Sequence, residues 1–200
     1  MLRLTNYLFL LFMGVVFLGN SQEKQIQYKS EYFVILVIDG PRYTETYGDT
    51  GCTYIPNLCN TLMPQGTFFS NFRNNGPTFT VPGHTAIMTG IYQRISNVGA
   101  GLPRNPSLFQ YYIKERHTLT TDAQIIASKG KLNVLSNTKD RKWKNKFRPY
   151  SYCGPNGNGL SYGPDRETMV KVKETLSSTA PPHLMLVNLL GVDVNGHGNE

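Results

Sequence analysis

The sequence predicts an α/β fold, a layered sandwich around a mostly parallel central sheet. Two unbroken apolar runs carry this prediction, YFVILVI at residues 32–38 and HLMLVNLL at residues 183–190. Each run is short and is closed by a turn, which is typical of parallel strands that are covered on both faces. Segments with helical character lie between the two runs, and strands that alternate with helices favour a layered α/β architecture.

The remaining elements are assigned in chain order. The residue pattern predicts helices at residues 56–63, 81–89, 107–116 and 165–177. Residues 67–72 and 132–135 are weaker strand candidates. Residues 148–164 contain four glycines and three prolines, so they are expected to form an irregular surface loop.

Composition bounds the class of protein. The 200 residues are 40% hydrophobic, which excludes global disorder, and 19 glycines with 12 prolines do not fit a collagen-like chain. Three cysteines are too few for a disulfide scaffold. The length predicts one domain, here placed at residues 22–200. The net charge of +7 bears on solubility and on partners rather than on the fold.

The N-terminal residues have the pattern of a secretory signal peptide, predicted at residues 1–21. Arg3 precedes thirteen almost wholly apolar residues, 7–19, and small residues follow at 19–21. Thirteen residues are short for a membrane span, which needs roughly 20. The alternative is an uncleaved N-terminal anchor, and both interpretations predict an exported protein, periplasmic or secreted. In such a compartment Cys52 and Cys59 are expected to form a local disulfide, the alternative being free thiols.

Four residues indicate chemistry. Asp39 and Asp193 lie at or just past the ends of the two predicted strands, and ligands gather outside the carboxyl ends of parallel strands, so these carboxylates are expected to be neighbours. Thr80 opens a helix as its N-cap and could present its hydroxyl there to an anion. A hydroxyl needs activation to act as a nucleophile, and metal coordination is the better candidate because no general base adjoins Thr80. His197, four residues after Asp193, adds an imidazole, and the two together suit zinc or a similar divalent ion.

Taken together, these features resemble the alkaline phosphatase superfamily, in particular its nucleotide pyrophosphatase/phosphodiesterase-like branch. The resembling stretches are VILVIDGPRY, PNLCNTLMPQGTFFSNFRNNGPTFTVPGHTAIMTGIY and LMLVNLLGVDVNGHG. The resemblance implies two divalent metal ions, usually zinc, with manganese or iron also open. It places Asp39 on one ion, Thr80 at the ions as the catalytic nucleophile, and Asp193 with His197 on the second ion.

The implied activity is metal-dependent hydrolysis of a small-molecule phosphate ester, by a phosphodiesterase or a phosphatase. A sulfate-ester or phosphonate hydrolase of the same superfamily is an alternative, as is an inactive truncated relative. Thr80 cannot yield the formylglycine that related sulfatases make from Cys or Ser, and residue 84 is His where they have Arg. Formylglycine-dependent sulfatase activity is therefore disfavoured, and His84 is interpreted as structural.

The chain departs from the resembled pattern in two ways. The branch carries an asparagine about twenty residues after the nucleophile, where this chain has Gly101; Asn97 and Asn105 flank it, and Asn97 is preferred as a substrate-binding residue. The remaining metal ligands of the superfamily would follow Glu200. The chain is thus expected to be the N-terminal part of a longer enzyme, truncated at its C-terminus, and inactive by itself.

A strongly basic stretch, KDRKWKNKFR, occupies residues 139–148. It is interpreted either as a solvated loop or as a phosphate-binding segment, in which Lys139 and Arg141 resemble a pair that marks phosphate monoesterases of the superfamily. Nucleic-acid contact is a third reading, disfavoured by export and by the metal motifs, so no dedicated nucleic-acid partner and no stable membrane span are expected.

Overall fold

The structure, a computed structural model, describes residues 30–198, so the predicted signal peptide lies outside the described residues. It contains a four-stranded, all-parallel sheet with the strand order β1-β4-β2-β3. The strands are β1 (Phe33–Ile38), β2 (Ala123–Ala127), β3 (Tyr150–Cys153) and β4 (Leu184–Leu189). The predicted α/β class and parallel sheet are confirmed.

Four α-helices accompany the sheet: α1 (Thr80–Thr89), α2 (Leu108–Arg116), α3 (Asp165–Leu176) and α4 (Gly191–Gly198). Shorter helical turns are Tyr43–Glu45, Leu58–Leu62, Met63–Gln65, Thr120–Asp122, Gly130–Ser136 and Pro155–Gly157. The predicted helices at 81–89, 107–116 and 165–177 are confirmed, and 56–63 is helical as a π turn rather than a regular α-helix. Among residues 30–198, no helix is both long and apolar enough to cross a bilayer.

Local sequence explains where α1 and α2 begin and end. Ser107 and Gln110 form a reciprocal capping box at the start of α2, which satisfies two otherwise unpaired backbone N–H groups. At the end of α1, Gly90 adopts a left-handed conformation with φ of 69°, the usual glycine termination. The prediction that Thr80 is the N-cap of α1 is wrong. The N-cap is Phe79, and Thr80 is the first helical residue.

Apolar side chains cover both faces of the sheet. Helices α1 and α2 and the turn Gly130–Ser136 pack on one face, in a cluster that includes Met88, Phe109, Leu132, Ile125 and Leu186. Helix α3 packs on the other face, in a cluster of Val172 with the strand residues Ile126, Met185 and Val187. Because successive strand residues point to opposite faces, β2 and β4 supply both clusters.

The position of β1 differs from the prediction. Within the described residues β1 is an edge strand and not a central one, and Phe33, Val34 and Leu36 are 59%, 48% and 51% exposed. Its alternate residues Ile35 and Val37 pack against the core. The prediction of a strand covered on both faces holds for β4, which lies between β1 and β2. An apolar run reports what could be buried, whereas the strand order decides what is buried.

Two weak strand predictions are wrong, and two strands were not predicted. Residues 67–72 form no strand, because they pair with no other strand in the described chain. Leu132 and Leu135 lie in the 3-10 turn Gly130–Ser136; their spacing of three matches that helix and points both into the core. Strand β2 is only five residues long, and β3 lies within the segment predicted to be irregular.

The starts of β2 and β4 are held together by one carboxylate. Asp122 accepts hydrogen bonds from the Thr118 hydroxyl at 2.7 Å and the Tyr112 hydroxyl at 3.2 Å, and it contacts the imidazole of His183. The ring of Tyr32 stacks on His183 at 5.0 Å. Burial raises the pKa of Asp122, but the hydrogen bonds from His183 and Thr118 outweigh it and hold that pKa below its ordinary value.

The cysteines behave as predicted. Cys52 and Cys59 form a disulfide with Cα atoms 6.2 Å apart. Cys153 is a buried free thiol, and burial raises its pKa to about 12, so it is an inert core residue rather than a nucleophile.

Candidate active site

Four side chains meet at the carboxyl end of the sheet. The Lys129 Nζ atom donates hydrogen bonds to Asp39 Oδ2 at 2.5 Å, to Asp193 Oδ2 at 2.6 Å and to Thr80 Oγ1 at 3.0 Å. Thr80 Oγ1 in turn donates to Asp39 Oδ2 at 3.4 Å. The expectation that Asp39 and Asp193 lie close together, with Thr80 beside them, is therefore met.

Lys129 is the functional residue that sequence reasoning missed. It follows β2 by two residues, and its side chain is only 1% exposed. Burial lowers the pKa of Lys129, but its hydrogen bonds to Asp193 and Asp39 prevail and raise that pKa above its ordinary value. The side chain is thus a buried ammonium between two carboxylates. An assignment of β2 would have placed Lys129 at the same sheet edge as the two aspartates.

The backbone brings β1 and α4 into unusually close contact. Gly40 follows Asp39 with φ of 78°, and a Cβ atom at this position would lie 2.6 Å from the Cα of Asp193. Any side chain there would collide with the backbone that carries the second carboxylate. Gly40 therefore allows the two aspartates to face one ammonium group.

Asp165 caps the backbone at the start of α4. Its two carboxylate oxygens accept the backbone N–H groups of Leu190 and Gly191, each at 2.8 Å, and the Ser128 hydroxyl donates to Asp165 Oδ1 at 2.6 Å. One carboxylate therefore ties the residue before Lys129 to the segment that leads into Asp193. Sequence reasoning used Asp165 only as the start of a helix.

Asn97 contacts the first turn of α1. Its Oδ1 accepts the backbone N–H of Val81 at 3.0 Å, one residue after Thr80, and the Nζ of Lys131 lies 3.5 Å from the same oxygen. The structure thus places the preferred asparagine at the N-terminus of α1, where backbone N–H groups favour anions. Lys131 was not singled out from the sequence.

His84 has a structural environment, as interpreted from the sequence. Its Nδ1 lies 2.7 Å from the carbonyl oxygen of Thr80, and its Nε2 lies 3.2 Å from Asn188 Nδ2. These partners require Nδ1 to donate and Nε2 to accept, which is the neutral tautomer. Burial lowers the pKa of His84 and maintains that neutral state. The imidazole holds the first turn of α1 against β4.

Asp193 and His197 both lie in helix α4. They lie four residues apart in α4, so both project from one face, and His197 Nε2 is 3.6 Å from Asp193 Oδ1. The His197 side chain is 75% exposed. The pair is close enough for both side chains to approach one ion.

Lys139 and Arg141 are not brought to this site. Both side chains are exposed, and neither contacts Thr80, the two aspartates or Lys129 in the described part of the chain. The backbone N–H of Lys139 is bound to the carbonyl of Pro103 at 2.7 Å.

The donor atoms at this site are of the kind that divalent cations bind. Two carboxylates and a hydroxyl surround one point, and the Lys129 ammonium fills it, so a cation there would take the place of that ammonium. His197 adds an imidazole beside Asp193. Residues 30–198 contain no cluster of three or more His, Cys, Asp or Glu side chains in position to hold an ion.

In comparisons with known proteins, no protein-family model, no curated protein and no solved structure matches this chain.

Proposed function

We propose that this chain carries the nucleophile of a metal-dependent phosphoester hydrolase of the alkaline phosphatase superfamily. One observation carries the proposal: the Thr80 hydroxyl, at the first turn of α1, lies within 3.4 Å of Asp39 and within 3.0 Å of Lys129, which also holds Asp193. A hydroxyl placed among an acceptor carboxylate, an ammonium and a helix N-terminus has the environment that a phosphoryl-transfer nucleophile needs.

The metal-binding residues of this proposal are those that the resemblance to the alkaline phosphatase superfamily implies. Asp39 and Thr80 would hold one divalent ion, and Asp193 with His197 would hold the second; zinc, manganese and iron all fit such donors. When bound, the ions supply Lewis acidity and an activated water for the hydrolytic step.

Side chains near Thr80 would assist proton transfer and binding of the phosphoryl group. Thr80 Oγ1 donates its proton towards Asp39 Oδ2, so that carboxylate is placed to receive the proton as the oxygen bonds to phosphorus. The bond from phosphorus to the substrate's ester oxygen would break in the same step and release the alcohol, which takes a proton from water. Water would then cleave the phosphothreonine, releasing phosphate and restoring the hydroxyl. In the absence of a metal ion, the Lys129 ammonium lies 3.0 Å from Thr80 Oγ1, at the position where a cation would favour the anionic form of that oxygen. Positive potential at the start of α1 and the ammonium of Lys131 favour the charged phosphoryl group at the same edge.

Isosteric variants within α1 provide the test. Thr80→Val removes the hydroxyl and keeps the shape, whereas Thr80→Ser keeps the hydroxyl. The matched control is Thr85→Val in the same helix, because the Thr85 hydroxyl is buried and has no hydrogen-bond partner in the described residues. Initial rates are measured on the full-length, metal-loaded protein with aryl phosphate monoester, phosphate diester, phosphonate and sulfate substrates.

We expect hydrolysis of a phosphate ester that disappears with a chelator and with Thr80→Val, survives in part in Thr80→Ser, and is unchanged in Thr85→Val. Mass spectrometry of acid-quenched protein is expected to find phosphate on Thr80. A metal-loaded protein that leaves the phosphate esters intact, or a Thr80→Val variant with full activity, would refute the assignment.

A further inference from the structure

We propose that residues 139–148, here called the basic loop, dock this protein on an anionic phospholipid surface. The basic loop has six basic residues and one acidic residue, a net charge of +5 in a chain whose net charge is +7. All six basic residues are exposed. Most of the chain's net positive charge therefore lies on one short surface segment.

Buried amides fix the conformation of the basic loop. The Gln110 side chain, with no exposed surface, donates to the carbonyl oxygens of Trp143 at 3.3 Å and Lys146 at 2.9 Å. Asn137 exchanges two hydrogen bonds with Asn145, of 2.7 and 2.9 Å. The basic side chains are thus presented from a held backbone, and binding does not require the loop to be ordered first.

Aromatic residues at the basic loop suit the boundary between lipid headgroups and acyl chains. The rings of Tyr111 and Trp143 are 4.5 Å apart, and those of Trp143 and Phe147 are 5.7 Å apart. Tyr111 is 47% exposed and Phe147 is 37% exposed. Aromatic rings flanked by lysines are a combination that peripheral membrane contacts use.

The ring geometry favours a lipid surface over single-stranded nucleic acid. Stacking of bases requires an open ring face. The Trp143 ring meets its two aromatic neighbours at 57° and 66°, and Lys114 Nζ lies 5.3 Å from its centroid. These neighbours hinder a base from stacking on the Trp143 ring, which is itself only partly buried, while the exposed basic side chains remain available to headgroup phosphates.

The test compares binding of the full chain to vesicles of phosphatidylcholine alone and of phosphatidylcholine mixed with anionic phosphatidylglycerol, by cosedimentation over a range of salt concentrations. Binding to neutral vesicles measures any contribution of apolar residues 7–19. The loop variant is Lys142→Gln with Lys144→Gln. The matched control removes two exposed charges from α3, Arg166→Gln with Lys173→Gln.

We expect binding to the anionic vesicles that weakens with salt and falls about 25-fold in the loop variant, since each basic residue near an anionic surface contributes about fivefold. The control should lose much less. Trp143 is the single tryptophan of the chain, so its emission should shift to shorter wavelength with anionic vesicles only. Equal losses in both variants, an unshifted emission, or tighter binding to a single-stranded oligonucleotide than to the vesicles would overturn the proposal.

Discussion

Replacement of Lys129 by methionine removes the ammonium that lies between two carboxylates, while nearly preserving the side-chain volume. Asp39 Oδ2 and Asp193 Oδ2 lie 2.5 and 2.6 Å from Nζ, so the two oxygens are at most about 5 Å apart. Two negative charges at about 5 Å repel by about 3 kcal/mol at an effective dielectric constant of about 20. The two carboxylates keep side-chain exposures of 16% and 24%, which places the expected loss in the free energy of unfolding at the lower end of the range of about 3–5 kcal/mol for a broken buried pair.

Urea denaturation of the full chain, followed by circular dichroism in the presence of a chelator, measures this loss. The matched control is Lys173→Met, an exposed position on α3, which should change the free energy of unfolding by less than about 0.5 kcal/mol. Added zinc is expected to restore most of the stability of Lys129→Met, because a cation can neutralise the same two carboxylates. At a free zinc concentration about one hundred times the dissociation constant, binding stabilises by about 2.7 kcal/mol.

Two outcomes would refute this reasoning. If the ammonium lies between the aspartates, its removal leaves a repulsion of about 3 kcal/mol unopposed. A loss in the free energy of unfolding below about 1 kcal/mol for Lys129→Met would therefore show that the ammonium is not held there. Equal instability of Lys129→Met with zinc and with chelator would show that Asp39 and Asp193 do not hold a cation, and the metal assignment would fail with it.

Three further predictions concern stability. Joint replacement of Cys52 and Cys59 by serine should lower the free energy of unfolding by about 2.5 kcal/mol from lost loop constraint, and reductant should lower the wild-type value equally. Because the folded pKa of Asp122 is depressed, its stabilisation is complete above the unfolded carboxyl pKa of about 3.9 and is lost as the pH falls through the folded value; Asp122→Asn should therefore lose less stability than wild type between about pH 5 and pH 2 in urea titrations. Gly154→Ala should lower the free energy of unfolding, measured by thermal denaturation, by about 3 kcal/mol, because φ is 73° and the new Cβ would lie 2.3 Å from a carbonyl oxygen. Gly90→Ala, with φ of 69° and open space around the new Cβ, should lower it by only about 1 kcal/mol. Equal losses in the two variants would contradict the steric argument.

Part of the fold and of the candidate site follows from local sequence. The apolar runs ahead of Asp39 and Asp193 identify β1 and β4 and place both carboxylates at one edge of a parallel sheet. The residue pattern predicts α1 and α2, although the N-cap of α1 is Phe79 rather than the predicted Thr80. The spacing of Cys52 and Cys59 permits the disulfide that the structure contains. These features depend on interactions within a few residues, or on a regularity shared by parallel sheets.

Only the tertiary structure shows what lies between those carboxylates. Lys129 follows β2, a strand too short to stand out in the sequence, and it reaches Asp193 because β2 pairs with β4. The edge position of β1, and the capping of the turn after β4 by Asp165, depend in the same way on which elements are adjacent. A hydrophobic pattern reports which face of an element is buried. It does not report the partner of a polar side chain, because that partner comes from a distant part of the chain and is selected only when the strand order is formed.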